Sequence, residues 1–292
     1  MILIPAWSFY LIGASSARAN GSPRGAIPSP VTALCLTAIL VTAYLLNQVF
    51  DRESDERNNK CLFLSRGIFT ARTLVLMAVL SFLAASFAYH KVSHAERLPL
   101  VISLALAFAY SLPPVRLCAR PVFDLLANAI GYGGIAFVLG FGVFDPSRAA
   151  AAWASMPYVL LVGATFLHTT ILDFTGDSET GKTSTTVLIG TRASAFAAAA
   201  LHASAFVIAA ATRNPVAAVV TGVSLPIAVY PLVRKSVGVS AFLIQANTLI
   251  VTLAGAVFWP AYLAVVVPLV ALSRFYHRRR FGIIYPGPRK IV

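Results

Sequence analysis

The stretch that decides the fold is Val31-Thr-Ala-Leu-Cys-Leu-Thr-Ala-Ile-Leu-Val-Thr-Ala-Tyr-Leu-Leu46-Asn47-Gln-Val-Phe-Asp51-Arg-Glu-Ser-Asp55. Its first part is uncharged and, carried through Phe50, is long enough to enter a bilayer as a helix of ~20 residues. Its end is acidic. Asn47, Asp51 and Asp55 recur every four residues, which on one helix puts them on one face with Cβ atoms ~5–6 Å apart. Carboxylates in such a place are expensive, and their default reading is functional. A second pair, Asp173 and Asp177, closes another apolar run.

Composition sets the class. The chain of 292 residues is 58% hydrophobic and only 11% charged, against about 25% charged in a soluble domain, with a mean hydropathy of +0.80. This is a polytopic helical membrane protein, read as a single transmembrane domain over residues 1–292. The net charge of +13 does not point to nucleic acid, because the basic residues are scattered in short loops with no stripe or interleaved aromatics. Cys35, Cys61 and Cys118 form no CxxC pair and suggest neither a disulfide framework nor zinc. His90 and His94 lie near Glu96 in a short loop but lack further ligands of the usual kind.

Working outward, nine apolar runs emerge. Ile2 to Ala17 is short and precedes Ser15-Ser-Ala-Arg-Ala19, an A-x-A pattern; without a charged n-region it reads as a retained first helix rather than a cleaved signal. Val31–Phe50, Phe69–Tyr89, Arg97–Leu112, Val122–Phe144, Trp153–Leu172, Ala193–Thr212 and Pro215–Val233 follow. Asp173 to Thr191 reads as a loop. The fifth run holds glycines at 131, 133, 134, 140 and 142, as close helix contact in a membrane allows. Ala241 to Phe275 is too long for one span of ~20 residues, and Trp259-Pro260 can split it. The bundle therefore has nine or ten spans.

Charge orients it. Outside Arg18, Arg24, Lys91, Arg97, Arg148 and Arg213, the remaining 17 of the 23 Lys and Arg residues fall on the side of the acidic stretch, including a basic tail at about 274–292. The positive-inside rule makes that side cytoplasmic. Of ten acids, Asp51, Glu53, Asp55, Glu56, Asp173, Asp177 and Glu179 lie in two clusters on this same face.

Gathered carboxylates raise one another's pKa unless a cation intervenes. Mg²⁺ bridges one or two carboxylates to phosphate oxygens, and Lys60, Arg66, Arg116 and Lys182 suit the remaining oxygens of a diphosphate. At a membrane mouth the natural ligand is an amphiphile with a diphosphate head and an apolar tail. Mg²⁺ neutralises charge on a departing diphosphate, and aromatic faces stabilise an allylic cation left behind. One motif misleads: Gly176-Asp-Ser-Glu-Thr-Gly181-Lys182-Thr183 fits G-x-x-x-x-G-K-[ST], but a P-loop needs a strand before it and a helix after. Here a membrane helix precedes it, and Asp177 and Glu179 would repel phosphate.

These residues resemble the UbiA superfamily of intramembrane prenyltransferases. Asn47-x-x-x-Asp51-x-x-x-Asp55 is similar to the first motif, N-[DQ]-x-x-D-x-x-x-D. Asp173-Phe-Thr-Gly-Asp177-x-x-x-Gly181-Lys182 is similar to the second, D-x-x-x-D-x-x-x-G-K. Tyr110-Ser-Leu-Pro-Pro114-Val-Arg116 resembles the Y-S-x-P-P-x-[RK] loop, and Asn128 with Gly131 the helix after it. The resemblance implies an all-α bundle around a central cavity, with Asn47, Asp51, Asp55, Asp173 and Asp177 binding the diphosphate through Mg²⁺. It implies that Arg116 and Lys182 contact the diphosphate and that Tyr110 lines the cavity; Lys60, from its place beside the acids, and Asn128 are read as further substrate-binding residues. The expected partners are an isoprenoid diphosphate donor and a lipophilic, usually aromatic, acceptor. Asn59-Lys60-Cys-Leu-Phe-Leu-Ser65-Arg66-Gly67 departs from the N-R-P-x-x-S-G segment that often follows the first motif. Two other readings stand beside prenyl transfer: a terpene cyclase on the same scaffold, and a carboxylate-based cation transporter. Transporters, however, hold their sites near the bilayer midplane, whereas these acids sit at helix ends.

Overall fold

The computed structural model describes residues 3–19, 28–58, 60, 64, 67–142, 147–233, 237–282 and 285. Among them ten long helices and two short ones form a bundle without strands. The long ones are α1 (Leu3–Ala19), α2 (Pro30–Phe50), α4 (Ala71–Tyr89), α5 (His94–Ser111), α6 (Phe123–Gly142), α7 (Arg148–Glu179), α9 (Thr191–Ala211), α10 (Pro215–Val233), α11 (Val237–Phe258) and α12 (Leu263–Phe281). The short ones are α3 (Arg52–Arg57) and α8 (Thr185–Ile189).

Eight of these elements are long and apolar enough to cross a membrane, so the protein is an integral, multi-pass membrane protein. The two that fall short are α1, with 17 residues, and α5, whose first turn carries His94, Glu96 and Arg97.

Helix starts follow local chemistry. Ser29 accepts the Thr32 N–H at 3.2 Å ahead of Pro30, and Thr70 accepts the Thr73 N–H at 3.1 Å, each satisfying a donor that a helix leaves open at its first turn. The split expected at Trp259-Pro260 occurs there: α11 ends at Phe258, and a single 3₁₀ turn, Pro260–Tyr262, leads into α12. The basic tail continues as helix through Arg278, Arg279 and Arg280 to a left-handed Gly282.

Two expectations are corrected. The fifth run is not a uniform α-helix, since Ala129–Ile135 within α6 forms a π turn. Nor do all its glycines serve close contact. A Cβ on Gly140 would lie 1.8 Å from the Tyr10 carbonyl oxygen and one on Gly133 2.5 Å from that of Tyr158, so backbones meet there. Gly142 faces open space. Gly13 makes the reciprocal approach to Phe137 on α6, and Phe137 stacks on Tyr158 with centroids 5.2 Å apart. The core grows around this α1–α6–α7 crossing.

The sixth run is longer than expected. Asp173 to Glu179 is helix, and α7 extends over 32 residues, ~48 Å at 1.5 Å per residue, well beyond the ~30 Å hydrocarbon thickness. Its last two turns carry Asp173 and Asp177. Within the bundle α7 is tied to α9 and α11 by buried polar groups: Asn247 donates to Thr165 at 2.9 Å and lies 3.2 Å from His202 Nε2, while His168 Nδ1 meets Ser240 at 3.0 Å. Such hydrogen bonds hold helices together where the hydrophobic effect cannot.

Candidate functional site

The first acidic stretch does not continue as one helix. α2 stops at Phe50, Asp51 takes φ −101° and ψ 15°, and α3 begins at Arg52. Asn47 and Asp51 remain neighbours, with Asn47 Nδ2 donating to Asp51 Oδ2 at 2.9 Å. Asp55 accepts from Gln48 Nε2 at 3.1 Å. Backbone bonds from the Asp51 N–H to the Asn47 carbonyl at 2.8 Å and from the Asp55 N–H to the Asp51 carbonyl at 2.9 Å carry the helical spacing of the three across the distorted residue.

α3 packs on the C-terminal end of α7. Ser54 donates to Asp177 Oδ1. Asn58 grips the backbone of α7 twice: its Nδ2 donates to the Asp173 carbonyl at 3.0 Å and its Oδ1 accepts the Gly176 N–H at 2.9 Å. Gly176 is required there, since a Cβ would lie 2.5 Å from Asn58 Nδ2. Lys60 pairs with Asp173. The two acidic clusters, more than a hundred residues apart in sequence, become one site.

Its centre is Asp51, 4% exposed. Lys182 Nζ donates to Oδ2 at 2.8 Å, and Arg116 Nη2 to Oδ1 at 3.1 Å. The same Arg116 nitrogen reaches the Phe50 carbonyl at 3.1 Å, and the Cys118 thiol lies 3.7 Å from Oδ1. Lys182 also stands 3.5 Å from Asp177 Oδ1. Burial pushes the Asp51 carboxyl up, but Lys182 and Arg116 outweigh it and hold the group below the usual carboxylate range. Among the described residues Asp55 has no such cation in contact: burial, opposed by Lys60 and reinforced by Asp173 and Asp51, raises it to about 6. For Lys182 burial works against the charge, and Asp51 and Asp177 overcome it, keeping the ammonium protonated well above its ordinary range.

The Gly181-Lys182 pair has a local explanation. α7 ends at Glu179 with Thr180 as its C-cap, Gly181 has φ +73°, the Gly181 N–H bonds Ser178 O at 3.3 Å and the Lys182 N–H bonds Asp177 O at 2.9 Å. That is a Schellman cap, which wants glycine at the left-handed position and here turns the following lysine back over the helix end. The P-loop pattern is thereby excluded, because its Gly-Lys closes a helix instead of opening one.

Tyr110 lies beside Asn128 and within electrostatic reach of Lys182, and Asn128 Nδ2 donates to the Asp124 carbonyl at 3.0 Å. The described residues expected to bind metal or substrate thus belong to one region; Arg66 lies outside the described residues. Sequence reading missed Gln48, Ser54, Asn58 and Cys118. No spacing rule flags them, since the partners of three of them lie on distant helices.

The five-residue metal set does not form a ready-made cage. Among the described residues no three His, Cys, Asp or Glu side chains gather closely enough to hold an ion. The physical reason is that Lys182 stands between Asp51 and Asp177, and Lys60 against Asp173. The donors are hard oxygens all the same, and they fit an ion such as Mg²⁺, which is held by one or two carboxylates and completed by substrate phosphates rather than by an all-protein cage.

Residues 6–239 match the profile of the UbiA prenyltransferase family. The chain belongs to that family. The fold is similar to that of a UbiA homolog from Archaeoglobus fulgidus bound to GPP and Mg²⁺, with TM-score 0.63 and 18% identity over 90% of this chain and 98% of that one. It is also similar to the apo UbiA homolog of Aeropyrum pernix K1, with TM-score 0.65 and 19% identity over 87% and 97% of the two chains. By sequence it is 28% identical over 182 residues to a lycopene elongase/hydratase of Corynebacterium glutamicum, a match spanning 60% of this chain and 62% of that relative's length.

Proposed function

We propose that this UbiA-family protein transfers a prenyl group from an isoprenoid diphosphate to a lipophilic acceptor, with Mg²⁺ required and the site on the cytoplasmic face. The observation that carries the reading is the alternation Asp51–Lys182–Asp177 with Arg116 on the free edge of Asp51. A diphosphate entering there would take over Lys182 and Arg116 through charge-assisted hydrogen bonds. Asp51, Asp55, Asp173 and Asp177, with Asn47, would hold Mg²⁺ against the same oxygens. The bound Mg²⁺ supplies charge neutralisation on the diphosphate.

In the transfer step the allylic C–O bond breaks and its electron pair leaves with the diphosphate. A π bond of the acceptor then supplies the pair for the new C–C bond, and the resulting cation loses a proton. Lys182 and Arg116 hold the leaving group, and the apolar bundle keeps water from the cation. The cytoplasmic placement rests on the excess of Lys and Arg on this side.

Known relatives support the donor: homologs from A. fulgidus are described with GPP and Mg²⁺ and with DMAPP and Mg²⁺. For the acceptor, similarity to a lycopene elongase/hydratase favours an extended isoprenoid hydrocarbon over an aromatic ring. The experiment is incubation of purified protein with Mg²⁺, labelled DMAPP or GPP, and either lycopene or a panel of aromatic acceptors. A labelled, lengthened hydrocarbon supports this reading. A prenylated aromatic product overturns the acceptor, and a cyclic or hydroxylated product formed from the diphosphate alone overturns the transferase reading in favour of a cyclase.

A further inference from the structure

Asp124 belongs to neither acidic cluster and is fully buried at the start of α6. Its carboxylate accepts the Leu125 N–H at 2.8 Å, the Thr185 N–H at 2.8 Å and the Thr185 hydroxyl. Thr185 Oγ1 in turn accepts the Val122 N–H at 2.7 Å. The next residue, Thr186, meets Thr170 of α7 hydroxyl to hydroxyl at 2.6 Å. A buried charge is retained only when its hydrogen bonds are satisfied, and here the donors come from segments 61 residues apart.

The two segments so joined are those that deliver the site's cations. Lys182 lies three residues before Thr185, with only Thr183 and Ser184 between them. Arg116 lies on the segment that enters Val122 and Asp124. That segment holds two non-glycine residues in the left-handed region, Arg116 at φ 40° and Val122 at φ 71°. Such backbone is unfavourable for L residues, most of all a β-branched one, and persists when surrounding bonds over-determine it. At Val122 it aims the N–H at Thr185; at Arg116 it turns the chain so that the guanidinium reaches Asp51.

We propose that Asp124 and Thr185 are positioning residues that fix the Lys182 and Arg116 segments against each other, setting the separation of the two cations that grip the diphosphate. The proposal rests on the diphosphate reading given above. Neither residue touches the substrate; both act through the residues they hold.

The test uses the full chain in detergent, with calorimetric binding of inorganic pyrophosphate plus Mg²⁺ and steady-state kinetics with labelled GPP. Thr185→Val removes the hydroxyl but keeps the backbone bond to Asp124; Thr185→Ser restores the hydroxyl; Asp124→Asn removes the charge. The expected result for Thr185→Val and Asp124→Asn is about tenfold weaker pyrophosphate binding, the size of one lost hydrogen bond to a charged group, with KM for the donor raised and KM for the acceptor unchanged. Thr185→Ser should match the parent protein. If Thr185→Val melts lower yet binds pyrophosphate as the parent does, the pair is merely a staple and the proposal is overturned. Should Asp124→Asn fail to fold, Thr185→Val decides. Lys182→Ala separates the two readings. If it binds pyrophosphate as tightly as the parent, or the parent binds none, the diphosphate site itself is wrong and the latch falls with it. If Lys182→Ala loses binding while Thr185→Val keeps it, only the latch is wrong.

Discussion

Gly176→Ala tests how the two acidic clusters are joined, because two opposing effects of known size meet at one atom. In an ordinary helix interior the change is favourable by about 1 kcal/mol, since alanine surrenders less backbone freedom. Here the added Cβ would lie 2.5 Å from Asn58 Nδ2, 2.6 Å from its Cγ and 2.7 Å from its Oδ1. Asn58 has little freedom to give way, as both ends of its amide are engaged on α7. Displacing it forfeits two hydrogen bonds at about 0.5–1.5 kcal/mol each, so the loss of roughly 1–3 kcal/mol exceeds the gain at all but its lower end. The expected net effect is a destabilisation of up to about 2 kcal/mol. In an Asn58→Ala background the clashing atoms are gone, and the same Gly176→Ala change should stabilise by up to about 1 kcal/mol. A double-mutant cycle from reversible denaturant unfolding in mixed micelles reads the sign directly. If Gly176→Ala has the same effect in both backgrounds, or stabilises the parent protein, Asn58 does not clamp α3 to α7.

Gly181→Ala forces an L side chain to φ +73° although no atom stands within 4 Å; the expected cost is about 1–2 kcal/mol, together with a raised donor KM as Lys182 shifts. Gly140→Ala should abolish properly folded protein on size exclusion, because the Tyr10 carbonyl lies 1.8 Å from the new Cβ, whereas Gly142→Ala, facing open space, should behave as the parent. Lys182→Met leaves Asp51 buried with one cation fewer and should cost about 3–5 kcal/mol in unfolding experiments; adding Asp51→Asn should recover much of that stability while turnover stays lost. Chelating divalent ions should abolish turnover and Mg²⁺ should restore it, and Asp51→Asn or Asp173→Asn should lose the Mg²⁺-dependent activity; full turnover in either variant would refute the metal assignment.

Much of the site was legible because its recognition groups repeat at helical spacing. Asn47 and Asp51 sit four apart and do bond each other. The hydrophobic runs gave the helices, and Trp259-Pro260 the break between the last two. Asn58 was illegible for the opposite reason: it is an ordinary polar residue at a helix end, and its meaning lies in a backbone 115 residues away. Asp124 carried a faint signal, as an acid heading an apolar run outside both clusters, but the sequence offers nothing to pair it with Thr185. Asp55 keeps its helical spacing from Asp51, its N–H bonding the Asp51 carbonyl at 2.9 Å, but the distortion of the helix at Asp51 was not signalled by the sequence.

The sequence by itself determined a helical membrane protein, since twenty-residue apolar runs have no other stable form in lipid. It also determined that two acid clusters share one end of the bundle, since span parity and charge bias settle that without coordinates. Only the tertiary structure decided what each carboxylate faces. Asp51 and Asp177 meet across Lys182, Asp173 meets Lys60, and among the described residues no three acids form a cage. Those outcomes depend on where α3 packs and where the Schellman turn at Gly181 throws the chain, and both involve contacts between distant segments that periodicity does not encode.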